Sequence, residues 1–379
     1  MKIGIDIRNI GKQKTGSEVV VLELTKNLLE IDKENEYFLF TDTADKKVLQ
    51  NIWEKLKLAD KKNVQIISLK AANKFAWAGW AMPKYMWRND LDVFHTEYIL
   101  PFFIPKRIKV ITHIHDVSFK VYQQFILKRD LFFLNLLIPR SIKRSDKIVA
   151  VSQFTKDEIL KYYKTDASKI EVVFNSINIS QTEITEEKKQ AVREKYSLPE
   201  KFILYIGTLQ PRKNVPALIE AYAKIKNKIP EIKLVIAGNK QAHNFDKKID
   251  EVILENNFDE KDILFAGFID VDDKTAFYQM AEVFAFPSFY EGFGIPILEA
   301  MSQGAATLAS DIPPHKEVAG EAAEYFNPRD IDILSEKLYN MCVNQERRKE
   351  LIELGLARVK AFSWKDSAQK MLDIFNSFK

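Results

Sequence analysis

Glu291 and Glu299 stand with seven residues between them in the stretch 283–307, VFAFPSFYEGFGIPILEAMSQGAAT. Carboxylates accept hydrogen bonds but repel phosphate, so two of them around a glycine-broken loop suit the hydroxyls of a sugar or ribose. A second group, Arg212 and Lys213 in GTLQPRKNVPALIEAY, lies just before a helix start. The planar arginine fork, the compact lysine charge and the positive helix end together could hold a diphosphate. The G-x-x-x-x-G-K-[ST] spacing of a Walker loop is absent. A third group follows the apolar pair Val110 and Ile111, where THIHDVSF brings His113, His115 and Asp116 to a strand end. Each group also has a plainer reading. Glu299 could favour the positive end of a helix, Glu291 and the Arg-Lys pair could be solvated loop charges, and the histidine could cap backbone groups.

Chemistry of either kind needs elements that aim these side chains. Residues 283–286 form a short apolar run closed by Pro287 and Ser288, which reads as an interior strand of a parallel sheet. Gly292 and Gly294 let the loop approach a ligand, and Pro296 suits the first turn of a helix carrying residues 298–301. Gly207 ends another strand, with Asn214 placed as the N-cap and Pro216 in the first turn of the next helix. Strand-like runs alternate with helix-period stretches throughout, which argues for βαβ units. Runs at 2–7, 37–41, 64–69, 91–95, 109–112, 147–151 and 169–174 make one doubly wound domain. Runs at 202–206, 233–237, 263–266, 283–286 and 306–309 make a second, and polar 179–200 links the two.

At 379 residues, 46% apolar and 29% charged, the chain has the make-up of a soluble protein of two or three domains. The lone Cys342 excludes an internal disulfide and a multi-cysteine metal site, and the five histidines show no paired metal-ligand spacing. The start, MKIGIDIRNI, reads as a strand and not as a signal peptide, and the longest apolar stretch, 131–138, is too short to span a bilayer. A net charge of +4 permits contact with anionic surfaces without implying nucleic acid. Two segments stand out. Residues 125–142 are apolar and aromatic, with Lys128, Arg129 and Arg140 interspersed and Lys143 and Arg144 just beyond, and they fit either a membrane-surface helix or a core-facing one. Residues 73–87 carry Phe75, Trp77, Trp80, Tyr85 and Trp87, either as core or as an exposed contact patch.

The stretch 283–307 resembles the E-x7-E signature of retaining nucleotide-sugar glycosyltransferases with the GT-B fold, family 4 in particular, whose run reads FPS-x-x-EGFG-x-P-x-LEAM-x-x-G. GTLQPRKN is similar to the family's G-T-x-x-x-R-K-N turn, His115-Asp116 to its "HD" strand end, and Thr15-Gly16 to the end of its glycine-rich first loop. The chain departs from the pattern in having one glycine after the lysines of that loop, and in Asn175-Ser176 where relatives have Asn-Gly.

The resemblance implies an α/β protein of GT-B type, with two doubly wound Rossmann-like domains facing across a cleft. Residues 1–180 would be acceptor-binding, residues 196–362 nucleotide-sugar-binding, and the helix 363–379 would pack back on the first domain. It implies transfer of a hexose, mannose by family frequency, with retention. The donor would be a nucleoside diphosphate sugar and the acceptor a glycan or lipid-linked molecule of cell-surface polysaccharide synthesis. No metal or further cofactor would be used. The expected location is the cytoplasm, with peripheral contact with the inner membrane face. The implied catalytic residues are His115, Arg212, Lys213 and Glu291, and the donor-binding ones Gly16, Gly207, Arg212, Lys213, Gly292, Phe293, Gly294 and Glu299. Arg212 and Lys213 would neutralise the diphosphate, Glu299 hold the ribose, Glu291 the sugar hydroxyls, and His115 the donor sugar. Both cations are expected in a ligand-facing loop, where alanine should lower turnover far more than stability. A same-fold 2-epimerase or phosphorylase, and a non-catalytic sugar-nucleotide-binding protein, are the rival readings.

Overall fold

Apolar runs that lack the alternation of a half-exposed strand have to be covered on both faces, and helices that cross between parallel strands provide that cover. The computed structural model describes residues 1–11, 16–178, 184–242, 244–259 and 261–379. Among them are two sheets in which every pairing is parallel.

The first sheet holds β1 (Lys2–Asp6), β2 (Glu36–Thr41), β3 (Val64–Ser68), β4 (Val93–Glu97), β5 (Lys109–Ile114), β6 (Lys147–Ala150) and β7 (Ile170–Val172), in the order β3-β2-β1-β4-β5-β6-β7. The second holds β8 (Lys201–Ile206), β9 (Ile232–Ala237), β10 (Ile263–Gly267), β11 (Val283–Phe286), β12 (Thr307–Ser310) and β13 (Glu324–Phe326), in the order β10-β9-β8-β11-β12-β13. Interior β11 and β12 are buried along their whole length, whereas edge strand β3 is largely accessible. The sequence reading omits β13, whose three residues are too few to show a period, and it ends the fourth strand at His95, two residues short of Glu97.

Strand order reverses beside β1, which lies between β2 and β4, and again beside β8, which lies between β9 and β11. Crossovers from neighbouring strands leave on opposite faces at such a point, so the loops at the carboxyl ends part and open a crevice.

The chain divides into two compact units, Met1–Lys120 with Lys128–Ser176 and Phe362–Lys379, and Val121–Leu127 with Ile177–Ala361. Within the first, the terminal helix Trp364–Asn376 starts at Ser363, whose hydroxyl accepts from the Asp366 backbone amide. Ser367 Oγ donates to the Phe174 carbonyl at 2.6 Å, and buried Phe375 sits 6.3 Å from the His95 ring. Within the second, the segment 121–127 stacks Tyr122 and Phe125 near Phe289, at 6.1 and 5.9 Å.

The aromatic segment divides its roles. A π-helical turn, Trp77–Ala81, buries Trp77 completely beneath the Arg8 guanidinium at 3.6 Å, while Phe75, Trp80 and Trp87 are exposed. The basic helix Lys128–Arg144 divides too. Arg140 donates to the carbonyls of Leu100 and Pro101, and Arg144 to that of Ile108, so these two brace a loop; Lys128, Arg129, Phe132, Leu136 and Lys143 face outward.

The loops after β8 and β9 meet backbone to backbone. A Cβ on Gly238 would lie 2.4 Å from the Gly207 carbonyl oxygen and 2.8 Å from Leu209, so Gly238→Ala must displace the turn that leads to Arg212. It should cost about 1–3 kcal/mol by overpacking. Urea denaturation checks this, and an unchanged midpoint would contradict the packing described.

Candidate active site

In the second unit, functional candidates gather where the loops after β8 and β11 flank the switch point. Beyond β8, the Gly207 amide donates to the Ala237 carbonyl at 3.0 Å, and a side chain on Gly207 would strike the Tyr205 hydroxyl 2.7 Å away. The chain then forms a tight turn, Pro211–Lys213, and Asn214 takes φ 55°, a left-handed conformation that asparagine tolerates. Asn214 precedes the helix Val215–Ile225 but does not cap it, contrary to the expectation from its spacing. Its amide instead donates to the carbonyls of Pro287 and Pro328 at 3.1 and 2.9 Å, tying the turn to the loop after β11. The Phe289 amide donates to the Arg212 carbonyl at 2.8 Å and closes the same seam.

That seam brings Arg212, Lys213 and Glu291 together. Glu291 Oε1 accepts from Lys213 Nζ and from Ser288 Oγ (2.8 Å), and Oε2 accepts from Arg212 Nη1 (3.0 Å), which also donates to the Tyr290 carbonyl. Glu291 and Lys213 are each 7% exposed. Burial pushes the Glu291 carboxyl up, but Lys213 and Arg212 outweigh it and hold the group at about 2. Neither Glu291 nor Lys213 is therefore a solvated loop charge. The carboxylate's first task is to fix two cations, and two cations against one carboxylate leave the cluster positive. Gly292, Phe293 and Gly294 continue the loop in buried positions, and Gly294, at φ 116°, adopts a backbone that a side chain would strain. The helix Ile295–Ser302 follows, with a proline in its first turn.

Glu299 is the fifth residue of that helix, past the first turn where the dipole acts, and its Oε2 accepts from Lys274 Nζ (2.5 Å) and the Tyr278 hydroxyl (3.0 Å). Lys274 and Tyr278 come from the helix Lys274–Met280 and carry no motif that sequence reading could have used. His315 was likewise missed. Its Nδ1 lies 3.0 Å from the Ser310 carbonyl oxygen, burial lowers its pKa to about 4, and Nε2 is buried with no hydrogen-bond partner among the described residues.

In the first unit, His115 follows β5 at the other switch-point face. It does not cap backbone; its Nε2 pairs with Glu97 Oε1 at 2.5 Å, and Glu97 Oε2 accepts from Asn9 Nδ2. Burial alone would lower the His115 pKa, but Glu97 and Asp116 raise it above the usual value. His113 stacks on His115 at 4.8 Å and is held neutral by burial, as is His95, at about 4. Gly16 begins the helix Gly16–Ile31 with open space beside it, while Thr15 lies outside the described residues. Among the described residues no group of three or more metal-ligating side chains could hold a metal ion.

Because Lys213 is buried in an ion cluster, its replacement should now cost stability as well as activity. Lys213→Met should destabilise by about 3 kcal/mol, the lower end for breaking a buried pair because Arg212 remains, and adding Glu291→Gln should restore part of that. A double variant no more stable than the single one, by urea denaturation at neutral pH, would contradict the cluster's role. Glu291's pKa is depressed when folded, so its contribution is complete above the ordinary value of 4.5 and fades as pH falls toward about 2.

Residues 186–358 match the family model described as Glycosyl transferases group 1, and residues 14–181 match Glycosyltransferase Family 4. The chain is 31% identical over 250 residues to the serotype-specific mannosyltransferase WbdA of Escherichia coli. The match takes in 64% of this chain and 30% of that protein, so this chain spans less than a third of that relative's length. It is 28% identical over 279 residues to O-antigen chain mannosyltransferase B of Escherichia coli, covering 72% of each. Among solved structures, Anabaena HepE in complex with UDP and glucose aligns over 100% of both chains with a TM-score of 0.74 at 15% identity, which is a likeness of fold. The E-x7-E stretch, the arginine-lysine turn, the paired parallel sheets and these two adjoining family matches agree: the chain belongs to the group 1 glycosyltransferases of family 4 type, with Rossmann-like α/β units of the GT-B class.

Proposed function

We propose that the protein is a retaining hexosyltransferase of cell-surface polysaccharide synthesis. It moves a hexose, mannose foremost, from a nucleoside diphosphate sugar to a glycan or lipid-linked acceptor without a metal ion or further cofactor. The observation that carries this reading is the buried cluster in which Glu291 fixes Arg212 and Lys213 at the carboxyl end of β8 and β11. Negative charge grows on the departing diphosphate, and cations already held in place stabilise it without reorganisation. The names of the mannosyltransferase relatives support mannose, and HepE's bound UDP supports a diphosphate donor. Gly207, Gly292, Phe293 and Gly294 shape the loops around the donor, Gly16 belongs to the donor-binding set, Glu299 with Lys274 receives the ribose, and His115 contacts the transferred sugar.

The same cluster bears on stereochemistry. An inverting transfer needs a general base near the acceptor hydroxyl, and double displacement needs a free carboxylate beside the anomeric carbon. Glu291, paired with two cations and held at about 2, is poorly suited to either task. The oxygen of the departing phosphate then takes the acceptor's proton on the leaving-group face, so the configuration is kept.

The acceptor side carries a surface suited to an anionic bilayer. Trp80, Trp87 and Phe103 are 69%, 66% and 73% exposed and line a groove with Lys84 and Arg88; Phe132 and Leu136 stand out beside Lys128 and Arg129. Aromatic rings with basic neighbours are the composition of an interfacial contact. No described helix is long and apolar enough to cross a membrane.

Two outcomes follow. Incubation with a panel of nucleoside diphosphate hexoses and glycan acceptors should give transfer that Arg212→Ala lowers about a hundredfold; no transfer from any donor, or a wild-type rate in the variant, would contradict the assignment. The protein should also sediment with anionic vesicles in a salt-sensitive way, and Trp80→Ser with Trp87→Ser should weaken this. Equal sedimentation with neutral and anionic vesicles would remove the charge-guided contact.

A further inference from the structure

Resting on the transferase reading, we propose that Glu97 is the positioning residue of His115: it holds the imidazole by Nε2 and so offers Nδ1 to the sugar substrate. Three strand ends converge to build this arrangement. Glu97 is the last residue of β4, His115 follows β5, and Asn9 follows β1, so the pair sits at the switch point of the first sheet. Both carboxylate oxygens are occupied, Oε1 by His115 Nε2 at 2.5 Å and Oε2 by Asn9 Nδ2, which leaves the carboxylate little freedom. The side chains of His115 and Glu97 are 13% and 10% exposed. The ring stacks on His113 at 4.8 Å and lies tilted against Tyr98 at 5.5 Å, and its Nδ1 makes no hydrogen bond with any described residue.

A carboxylate on Nε2 keeps a proton there in either charge state. When the ring is neutral, Nδ1 is an acceptor; when it is protonated, Nδ1–H is a cationic donor. The groups facing the ring decide which form prevails. Glu97 from β4 and Asp116 on the adjoining loop favour the imidazolium, against burial. His113 and, behind it, His95 are held neutral, and Asp6, the last residue of β1, pairs with Arg8 at 2.7 Å and accepts from Thr96 Oγ1. Because the folded pKa is raised, the donor form persists to higher pH than for a free histidine and gives way as pH rises through that pKa. Glu97 thereby sets the pH at which Nδ1 stops donating to a substrate oxygen. Its place at the strand end, and not any motif, identifies it.

The test is an NMR titration of the His115 ring in the full-length protein, with Glu97→Gln as the variant because it keeps the shape and removes the charge. Wild type should titrate above the ordinary value of 6.5 and show the Nε2–H tautomer, and Glu97→Gln should titrate lower. The transfer rate of the variant should fall by about tenfold for each unit of pKa lost at pH above both values, recover toward acid pH, and show the loss in kcat more than in donor KM. Adding Glu97→Gln to His115→Gln should cost nothing further. Identical His115 titrations in wild type and variant, or a double variant much slower than His115→Gln alone, would overturn the proposal. The titration needs no activity, so an absence of transfer in wild type would count against the transferase reading while the ring's pKa still reports on the dyad.

Discussion

A buried carboxylate held between two cations organises the second unit. Burial should neutralise Glu291, yet Lys213 and Arg212 keep it ionised at about 2. The arrangement is costly to break from either side, because losing one partner leaves a charge in a water-poor site. Around it, the loops after β8 and β11 are tied by Asn214 to Pro287 and Pro328 and by the Phe289 amide to the Arg212 carbonyl. The left-handed turn at Asn214 and the close approach at Gly207 and Gly238 are conditions for that fit. Stability and the proposed chemistry therefore share the same residues.

The two sheets repeat one device. Each reverses its strand order beside its first strand, and at each reversal a carboxylate from a neighbouring strand end or loop fixes cationic or protonatable side chains: buried Glu291 with Arg212 and Lys213, part-buried Glu97 with His115. A preorganised charge of this kind acts without waiting for solvent to reorient. Behind His115, burial holds His95 and His113 neutral.

Much of this is legible in the amino-acid sequence. Twelve apolar runs marked strands because buried parallel strands need no alternation, and the thirteenth, Glu324–Phe326, was too short to carry a signal. Arg212, Lys213, Glu291 and Glu299 stood out by type and spacing. Their partners did not, since Lys274 and Tyr278 reach Glu299 from a helix over twenty residues earlier, and ending the fourth strand at His95 hid Glu97 two positions on. The spacing that marks Asn214 as a cap cannot reveal a left-handed backbone or a tertiary carbonyl partner. The basic residues of Lys128–Arg144 look equivalent in sequence, yet only tertiary structure assigns Arg140 and Arg144 to carbonyls and leaves Lys128 and Arg129 facing outward.

The central claim is that positive charge fixed by Glu291 lets the departing diphosphate serve as the base on its own face of the sugar. Proton NMR of the first-formed product, recorded in the presence of a chelator and compared with the donor, tests it most directly. The account predicts an anomeric proton of the donor's configuration with no metal required; an inverted anomer, or transfer that stops when metal is removed, would contradict it.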